Sequence, residues 1–448
     1  MSSTPDAGAG NRPRPALKAV RGTRDLLPDQ TPLWNHVEST ARAVFARYGF
    51  GEIRTPVFEA TELFARGVGE ETDIVSKEMF TWEDRARAES EKGQSLTLRP
   101  ESTAGVVRAY IEHKLGDTGG LQKLYYIGPQ FRRERPQRGR YRQFWQIGAE
   151  VIGPASSGAE SPLRDAEILE MLSSLLDELG ICDWRLELNS VGNADDRARY
   201  NAALREALAP VKDQLCPDNQ RRAETNPLRV LDSKDEGDQA IINDLPKIAD
   251  YLGPDSKTHF DGVLAVLDAC GVTYHLNPRL VRGLDYYTRT TFEFTVTTGL
   301  GTQNALLGGG RYDGLSEILG GPRAPGIGFA IGEDRLILTL QAQAEIEAAA
   351  ATEPPQPRKL NAYIAPLGIA QNPAALALAR TLRRAGLGVE VGDGTFKMRK
   401  SFDLADKLAR HIIILGEDEV RDGTATVKTF ATGEQRKIPM SDLADTMK

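Results

Sequence analysis

Cysteine is scarce in this sequence, and its three residues lie far apart with no CxxC pair: Cys182, Cys216 and Cys270. This pattern argues against a disulfide framework and a structural zinc site, and it favours a reducing, cytoplasmic setting. The five histidines show no spacing typical of a metal pair, so we expect no metal site. No apolar run approaches the roughly 18 residues of a membrane span, which argues against a membrane protein.

The N-terminal residues 1–17 also lack an apolar signal core, and they are small, polar and rich in proline. We expect a disordered tail there, because a transit peptide is usually amphipathic and poor in acidic residues. The length of 448 residues indicates about two to four domains, and the net charge of −7 does not exclude a nucleic-acid partner that binds a local basic patch.

The pattern along the chain predicts two folded regions. From 18 to 342 helical stripes mix with alternating strands, and about 190–278 loses the strand signal, which we interpret as a helical insertion. Residues 343–358 drift from a helix end into a proline-rich linker. Residues 359–448 alternate strands with helices and predict a small α/β domain. Helices are expected over 101–115 and 165–179, ended by Gly116 and Gly180, and a strand over 291–297.

Residues 140–152 alternate with period two and predict a strand with two different faces. The odd positions are mostly apolar and should pack on helices. The even positions include Phe144, Gln146, Gly148 and Glu150, and the steps from Phe144 to Glu150 span roughly 20 Å. A mostly polar face on a long strand of an enzyme-sized domain suits a ligand floor. The alternative is an antiparallel strand with one face in solvent.

Positive charge is concentrated in the stretch FRRERPQRGRYRQF, which has six arginines among the eleven residues from Arg132 to Arg142. A guanidinium offers paired donors and keeps its charge, so this density predicts contact with phosphate groups. A glycine-containing turn from Gln137 to Gly139 separates two arginine-bearing arms and would project toward a nucleic-acid end. A basic loop in solvent is the alternative.

Six stretches resemble class II aminoacyl-tRNA synthetases, and specifically the histidyl-tRNA synthetase family. FRRERPQRGRYRQFWQIGAEVIG resembles motif 2 of the class, GIGFAIGEDRLIL resembles motif 3, and GFGEIRTPVFE resembles the dimer-forming motif 1. TLRPESTAG is similar to the amino-acid-binding loop of the family. LVRGLDYYTRTTFEF and ALLGGGRYDGL are similar to the two motifs peculiar to histidine-specific enzymes. The resemblance extends from about residue 20 to the C-terminus.

This resemblance implies an α+β catalytic core built on an antiparallel sheet, with a helical insertion and a C-terminal α/β anticodon-binding domain. It implies ligation of L-histidine to its tRNA in two steps, ATP-dependent formation of histidyl-adenylate and then transfer to the tRNA 3′ end. ATP is a substrate accompanied by Mg²⁺, and no tightly bound cofactor is implied. Motif 1 implies a homodimer.

The ATP site that the motifs imply consists of Arg132, Glu134, Arg140, Phe144, Arg282 and Arg335. Arg132 and Arg282 would act as catalytic residues at the α-phosphate, and Arg335 would bind the γ-phosphate. Phe144 would stack on adenine. The enzyme would contribute mainly positioning and positive charge to an in-line displacement. The alternative for Arg282 is a salt bridge to Asp285.

The histidine site that the motifs imply consists of Glu101, Ser102, Thr103, Gln146, Glu150, Tyr286 and Tyr287. Glu101, Thr103 and Gln146 would accept hydrogen bonds from the substrate ammonium group. Glu150 and Tyr287 would read the imidazole ring, with Tyr286 beside them. The alternative for Glu150 is a buried carboxylate paired with an arginine. Ser102 stands where this family more often has glycine, and we expect only a slight change in the pocket.

For tRNA, the resemblance implies that Arg135 and Gln137 approach the first base pair and the extra 5′ guanosine of histidine tRNA. The segment 396–411 carries a basic face that suits phosphate contacts in the anticodon domain, with a helix in solvent as the alternative. Its cations are Lys397, Arg399, Lys400, Lys407 and Arg410.

Two other functional classes remain as alternatives. A catalytically silent relative could serve as the histidine-sensing regulatory subunit of ATP phosphoribosyltransferase, but such relatives typically lack the anticodon domain and have eroded arginine motifs. An RNA-binding module without catalysis would not explain why Arg132, Arg282 and Arg335 all fit one ATP molecule.

Overall fold

The computed structural model describes residues 16–69, 72–84, 93–118, 120–284, 286–301, 304–350 and 360–447. The chain divides into two compact units, Met1–Ala349 and Ala350–Lys448. Residues 1–15 of the expected tail and 351–358 of the expected linker lie outside the described residues.

The first unit contains eleven strands, namely β1 (Gly51–Glu52), β2 (Phe58–Ala60), β3 (Phe80–Asp84), β4 (Gln94–Leu98), β5 (Gln122–Phe131), β6 (Gln143–Ile152), β7 (Trp184–Ser190), β8 (His275–Leu276), β9 (Thr288–Val296), β10 (Ala305–Arg311) and β11 (Gly326–Gly332) among the described residues. Its helices are α1 (Thr31–Arg47), α2 (Thr61–Val68), α3 (Thr103–Glu112), α4 (Pro162–Glu178), α5 (Ala194–Leu208), α6 (Pro217–Thr225), α7 (Gln239–Asn243), α8 (Pro254–Cys270), α9 (Leu315–Ile318) and α10 (Glu333–Ala350).

Eight of these strands form one sheet in the order β1-β5-β6-β11-β10-β9-β7-β8. The pairs are antiparallel except at the two edges, where β1 joins β5 and β8 joins β7 in parallel. One face of the sheet is covered by α1, α4 and α8, which bury Phe45, Leu172 and Val263 in the main core with the odd positions of β6. The α+β core on an antiparallel sheet is therefore confirmed.

The strand expected over 140–152 begins only at Gln143. Residues 132–142 instead form the loop of the β5–β6 hairpin, where the N–H of Gln137 donates to the carbonyl of Arg140 over 3.1 Å. The N–H of Arg142 takes no part in the strand pairing, because it donates to the carbonyl of Gly22 over 2.7 Å. Helix α3 is also shorter than expected, since Lys114 adopts a φ of 49° and ends it before Gly116.

The helical insertion has a small core of its own, built on Tyr200, Leu204, Val230 and Ile248. The end of the expected insertion differs, because α8 packs Val263 and Leu267 into the main core, and β8 adds a strand to the sheet. Residues 254–276 therefore belong to the main sheet and to the helices packed against it, and not to the insertion.

The second unit has a five-stranded sheet in the order β13-β12-β14-β15-β16. Its elements are β12 (Leu360–Pro366), α11 (Asn372–Arg384), β13 (Val389–Val391), α12 (Met398–Leu408), β14 (Ala409–Leu415), α13 (Glu417–Asp422), β15 (Thr424–Thr429), β16 (Gln435–Pro439) and α14 (Leu443–Thr446). Residues 343–350, expected to belong to the linker, continue α10, because their alanine-rich sequence favours a helix.

Candidate active site

Three small residues, Gly148, Ala330 and Gly308, form a floor at the centre of the open face of the main sheet. Across the central strands, Tyr126 pairs with Gly148, Gly148 with Ala330, Ala330 with Gly308 and Gly308 with Glu293. At Gly308 a Cβ atom would lie 2.5 Å from the guanidinium carbon of Arg282. The glycine therefore lets this arginine lie flat against the sheet.

A cavity of about 460 Å³ opens above this floor. All six residues expected at the ATP site line it, and so does Gln146 from the histidine site. They come from the β5–β6 hairpin, from the segment before β9 and from the start of α10. The structure thus brings together arginines that lie as far apart in sequence as Arg132 and Arg335.

The hairpin side of the cavity is organised around Arg132. Its Nε donates to the carbonyl of Pro100 over 2.9 Å, and its guanidinium carbon lies 5.2 Å from the centroid of the Phe144 ring. Glu134 lies between two arginines, at 3.7 Å from Nη1 of Arg132 and 3.3 Å from Nη1 of Arg140. These contacts orient the cationic groups toward one space.

On the opposite side, Arg282 forms an ion pair with Glu293 of β9. Asp285, the alternative partner, lies outside the described residues. Nε of Arg335 donates to the carbonyl of Ala305 over 2.7 Å, which directs this side chain across the cavity wall. Sequence reasoning missed Glu293, although it is the only glutamate within the quoted stretch LVRGLDYYTRTTFEF.

The residues expected to bind histidine form a buried cluster behind the cavity. Glu101 accepts hydrogen bonds from the backbone N–H of Thr103 over 2.6 Å and of Ala104 over 3.0 Å, and so satisfies the first turn of α3. The Thr103 hydroxyl donates to Oε1 of Glu150 over 2.7 Å. Tyr312 donates to Oε2 of the same carboxylate over 2.6 Å.

These contacts correct one alternative and add one residue. Among the described residues, Glu150 accepts hydrogen bonds from the hydroxyl groups of Thr103 and Tyr312 and pairs with no arginine, unlike the alternative that the sequence left open. Tyr312 was missed as a site residue, although it lies in the quoted stretch ALLGGGRYDGL. Opposite Glu150 stands Gly328, where any Cβ atom would collide with the carboxylate.

Burial raises the pKa of Glu150 to about 8, against the opposing effect of the Tyr312 and Thr103 hydroxyls, and the Glu101 carboxyl adds to the increase. Burial likewise raises the pKa of Glu101, against its backbone hydrogen bonds. Burial therefore disfavours the charged form of the Glu150 carboxyl group. A buried acid whose hydrogen-bond donors among the described residues are neutral hydroxyl groups is the arrangement expected to respond to a ligand that carries a hydrogen-bond donor.

Four further histidine-site residues adjoin this cluster. Ser102 accepts a 2.7 Å hydrogen bond from Nε2 of the buried Gln130. The carbonyl oxygen of the Gln146 side chain is buried and has no hydrogen-bond partner among the described residues. The rings of Tyr286 and Tyr287 lie 4.8 Å apart, and Tyr286 also contacts the Tyr312 ring at 5.9 Å.

The family model for histidyl-tRNA synthetase matches residues 22–336, and the model for the anticodon binding domain matches residues 361–448. The chain belongs to the histidyl-tRNA synthetase family. It is 65% identical to the histidine–tRNA ligase of Koribacter versatilis (strain Ellin345), over 96% of this chain and 95% of that protein. It is 52% identical to the histidine–tRNA ligase of Solibacter usitatus (strain Ellin6076), over 96% of this chain and 98% of that protein.

The fold agrees with that of a solved family member. The apo histidyl-tRNA synthetase of S. aureus superposes with a TM-score of 0.76 at 36% identity, and the match covers 96% of this chain and 100% of that one. The synthetase fold and the anticodon-binding domain expected from the sequence are thus confirmed.

The motif 2 turn contacts the cavity through Gly139, whereas Arg135 and Gln137 do not line it. Arg135 and Gln137 are exposed on the hairpin loop, and Gly139 makes the turn with a φ of 75°. In the second unit, the basic side chains of α12, Arg399, Lys400 and Lys407, are also exposed. Within the described residues, no cluster of His, Cys, Asp and Glu could hold a metal ion, and no helix is long and apolar enough to span a bilayer.

Proposed function

We propose that this chain ligates L-histidine to its cognate tRNA, by forming histidyl-adenylate from histidine and MgATP and then transferring the histidyl group to the tRNA 3′ end. The observation that carries this proposal is the convergence of Arg132, Arg282 and Arg335 on one cavity. Beside it lies the buried acid Glu150 with its two hydroxyl donors. A phosphate chain and a small polar side chain are the two ligands that these groups suit.

In this proposal the α-phosphate lies between Arg132 and Arg282, and the γ-phosphate lies at Arg335. Adenine stacks on Phe144, with Glu134 and Arg140 making further contacts to ATP. The closeness of Arg132 to the Phe144 ring supports this arrangement, since a nucleotide presents its base and α-phosphate as neighbours. Fixed cations around the phosphorus would stabilise charge that develops during displacement.

Histidine lies with its imidazole toward Glu150 and Tyr287 and with its ammonium group toward Glu101, Thr103 and Gln146. The carbonyl oxygen of the Gln146 side chain, which has no donor among the described residues, supports the placement of the ammonium group, because a buried acceptor without a donor is costly unless a ligand supplies one. A site that pairs a polar substrate group rejects analogues that lack it by roughly 10⁴-fold or more.

Arg135 and Gln137 contact the acceptor end of histidine tRNA, and residues 359–448 bind its anticodon. The chain acts as a homodimer through motif 1, and the exposed side chains of Val57, Phe58 and Trp82 near that motif support an interface. We expect a cytoplasmic location, which the three free cysteines support.

The regulatory alternative is less well supported. A silent subunit that only senses histidine has no need for an arginine-lined nucleotide cavity or for an anticodon-binding domain. The test is histidine-dependent exchange of pyrophosphate into ATP. We expect exchange with histidine and none with the other amino acids, whereas histidine binding without exchange would favour the regulatory role.

A further inference from the structure

A second cleft, of about 400 Å³, separates the helical insertion from the segment 281–287, which carries Arg282 and Tyr287. One wall is formed by α5 and by residues 225–229 of the insertion. Three insertion arginines line this cleft, Arg197, Arg205 and Arg229. Two of them make specific contacts with the opposite wall.

Arg197 lies in the second half of the first turn of α5, and its Nη1 donates to the backbone carbonyl of Tyr287 over 2.8 Å. Arg229 donates from Nη2 to the backbone carbonyl of Gly283, the residue that follows Arg282. The insertion therefore holds the segment at two points, one beside each of the side chains that the proposed reaction uses.

Hydrogen bonds from a charged donor are about twice as strong as neutral ones, so these contacts restrain the backbone at Gly283 and at Tyr287. The main sheet holds the preceding residues separately, through a 3.0 Å bond from Nδ2 of Asn189 to the carbonyl of Leu280. Because a side chain takes its direction from its own backbone, the positions of Arg282 and Tyr287 depend on the insertion.

We propose that Arg197 and Arg229 are positioning residues for histidine activation, each through a different side chain. Arg197 holds Tyr287 and so controls histidine binding, whereas Arg229 holds Gly283 and so controls where Arg282 meets the α-phosphate. This assignment rests on the proposed function, because it gives Tyr287 and Arg282 those roles.

The experiment measures the steady-state KM for histidine and for ATP, together with single-turnover formation of adenylate. The variants are Arg197→Ala, Arg229→Ala and the two lysine replacements. Arg205→Ala is the matched control, because Arg205 lines the same cleft and shares α5 with Arg197, but makes no hydrogen bond or ion pair with the described residues of the segment. Thermal unfolding checks that each variant is folded.

We expect Arg197→Ala to raise the histidine KM about tenfold with little change in the ATP KM. Arg229→Ala should slow single-turnover adenylate formation at saturating substrates about tenfold or more, since small misplacements of a reacting group can cost about 10²-fold. Each lysine variant should recover part of the loss, because it keeps a charged donor. Arg205→Ala should match the wild type.

Arg229 also lines the ATP cavity, so the ATP KM is decisive for it. A large increase in the ATP KM with a normal single-turnover rate would show direct contact with ATP and overturn the positioning role. Equal effects of Arg197→Ala on both KM values, or wild-type kinetics in both alanine variants, would also overturn it. An inactive wild type would instead refute the proposed function itself.

Discussion

The Tyr312 hydroxyl and Oε2 of Glu150 lie 2.6 Å apart, although the two residues are separated by 162 positions in the sequence. The hydroxyl of Thr103 contacts the other oxygen of the same carboxylate. Neither donor carries a charge, so the carboxyl group remains available to a ligand with a proton to share. This buried group is the centre of the proposed histidine site.

The first prediction concerns recognition of the ring. Glu150→Gln keeps the shape of the side chain but removes the acceptor that can ionise, a loss of about 1.5–3 kcal/mol for a charged hydrogen bond. We expect kcat/KM for histidine to fall roughly 10- to 100-fold while the KM for ATP changes little. Steady-state exchange of pyrophosphate measures both. Equal losses for the two substrates would indicate that Glu150 serves the fold instead.

The second prediction follows from the pKa of Glu150, which burial raises to about 8 in the folded chain from an ordinary value of 4.5. Between these values the folded chain holds a proton that the unfolded chain has lost, so stability falls as pH rises. The slope is at most about 1.4 kcal/mol per pH unit. Glu150→Gln lacks this loss, and its stability relative to wild type should increase from pH 5.5 to pH 7.5.

Urea unfolding at several pH values measures this difference. Glu317→Gln is a suitable control, because it makes the same substitution at an exposed position on α9. Parallel stability curves for wild type and Glu150→Gln would contradict the raised pKa.

The third prediction concerns Ser102, a residue of the expected histidine site. Its hydroxyl accepts a hydrogen bond from Nε2 of the buried Gln130. The other polar atom of that side chain, Oε1, has no partner among the described residues. Ser102→Gly should lower the free energy of unfolding by about 1–3 kcal/mol. Ser102→Ala, which keeps the backbone restricted, should cost nearly as much. Unchanged stability in both variants would mean that Gln130 is satisfied in another way.

Much of this site was predictable, because the strand period places Phe144, Gln146 and Glu150 on one face of β6 from sequence alone. The convergence of the arginines came from the family resemblance rather than from any local pattern. Neither the strand period nor the family resemblance showed that Tyr312 contacts Glu150, that Glu293 pairs with Arg282 or that Gln130 donates to Ser102. Their contacts depend on the register between strands and on how loops cross the sheet, which the sequence of a single strand does not contain.

The errors in the fold have similar causes. Helix α8 is amphipathic and would suit either the insertion or the main core, and only its packing through Val263 and Leu267 decides between them. The prediction of a strand at 140–142 was wrong. The apolar and polar alternation continues into these residues, but they belong to a loop whose backbone bonds to Gly22. Periodicity shows which face is apolar, but it does not show which element covers that face.

The fourth prediction concerns the division of labour between the two units. Because α10 continues to Ala350, a truncated chain should end there and not at the expected linker start. The cavity lies wholly in the first unit, so this chain should still form histidyl-adenylate. It should charge tRNA poorly, because it lacks residues 361–448, which match the anticodon binding domain. Full aminoacylation by the truncated chain would refute the proposed role of residues 359–448.

The fifth prediction tests whether Arg282 stabilises the α-phosphoryl group. Arg282→Ala removes a fixed cation from the place where charge develops, and losing one such donor typically costs about 10²- to 10³-fold in rate. Histidine binding should survive, because the proposed ring contacts involve Glu150 and Tyr287. Arg185→Ala is the control, since it removes an exposed arginine from β7 of the same sheet.

The decisive measurement is single-turnover formation of adenylate beside single-turnover transfer from supplied histidyl-adenylate to tRNA, in wild type and in Arg282→Ala. We expect adenylate formation to fall about 10²- to 10³-fold and transfer to fall much less, because the phosphorus chemistry is then complete. Equal losses in the two steps, or intact adenylate formation, would contradict the assignment of this cavity to ATP activation by arginines.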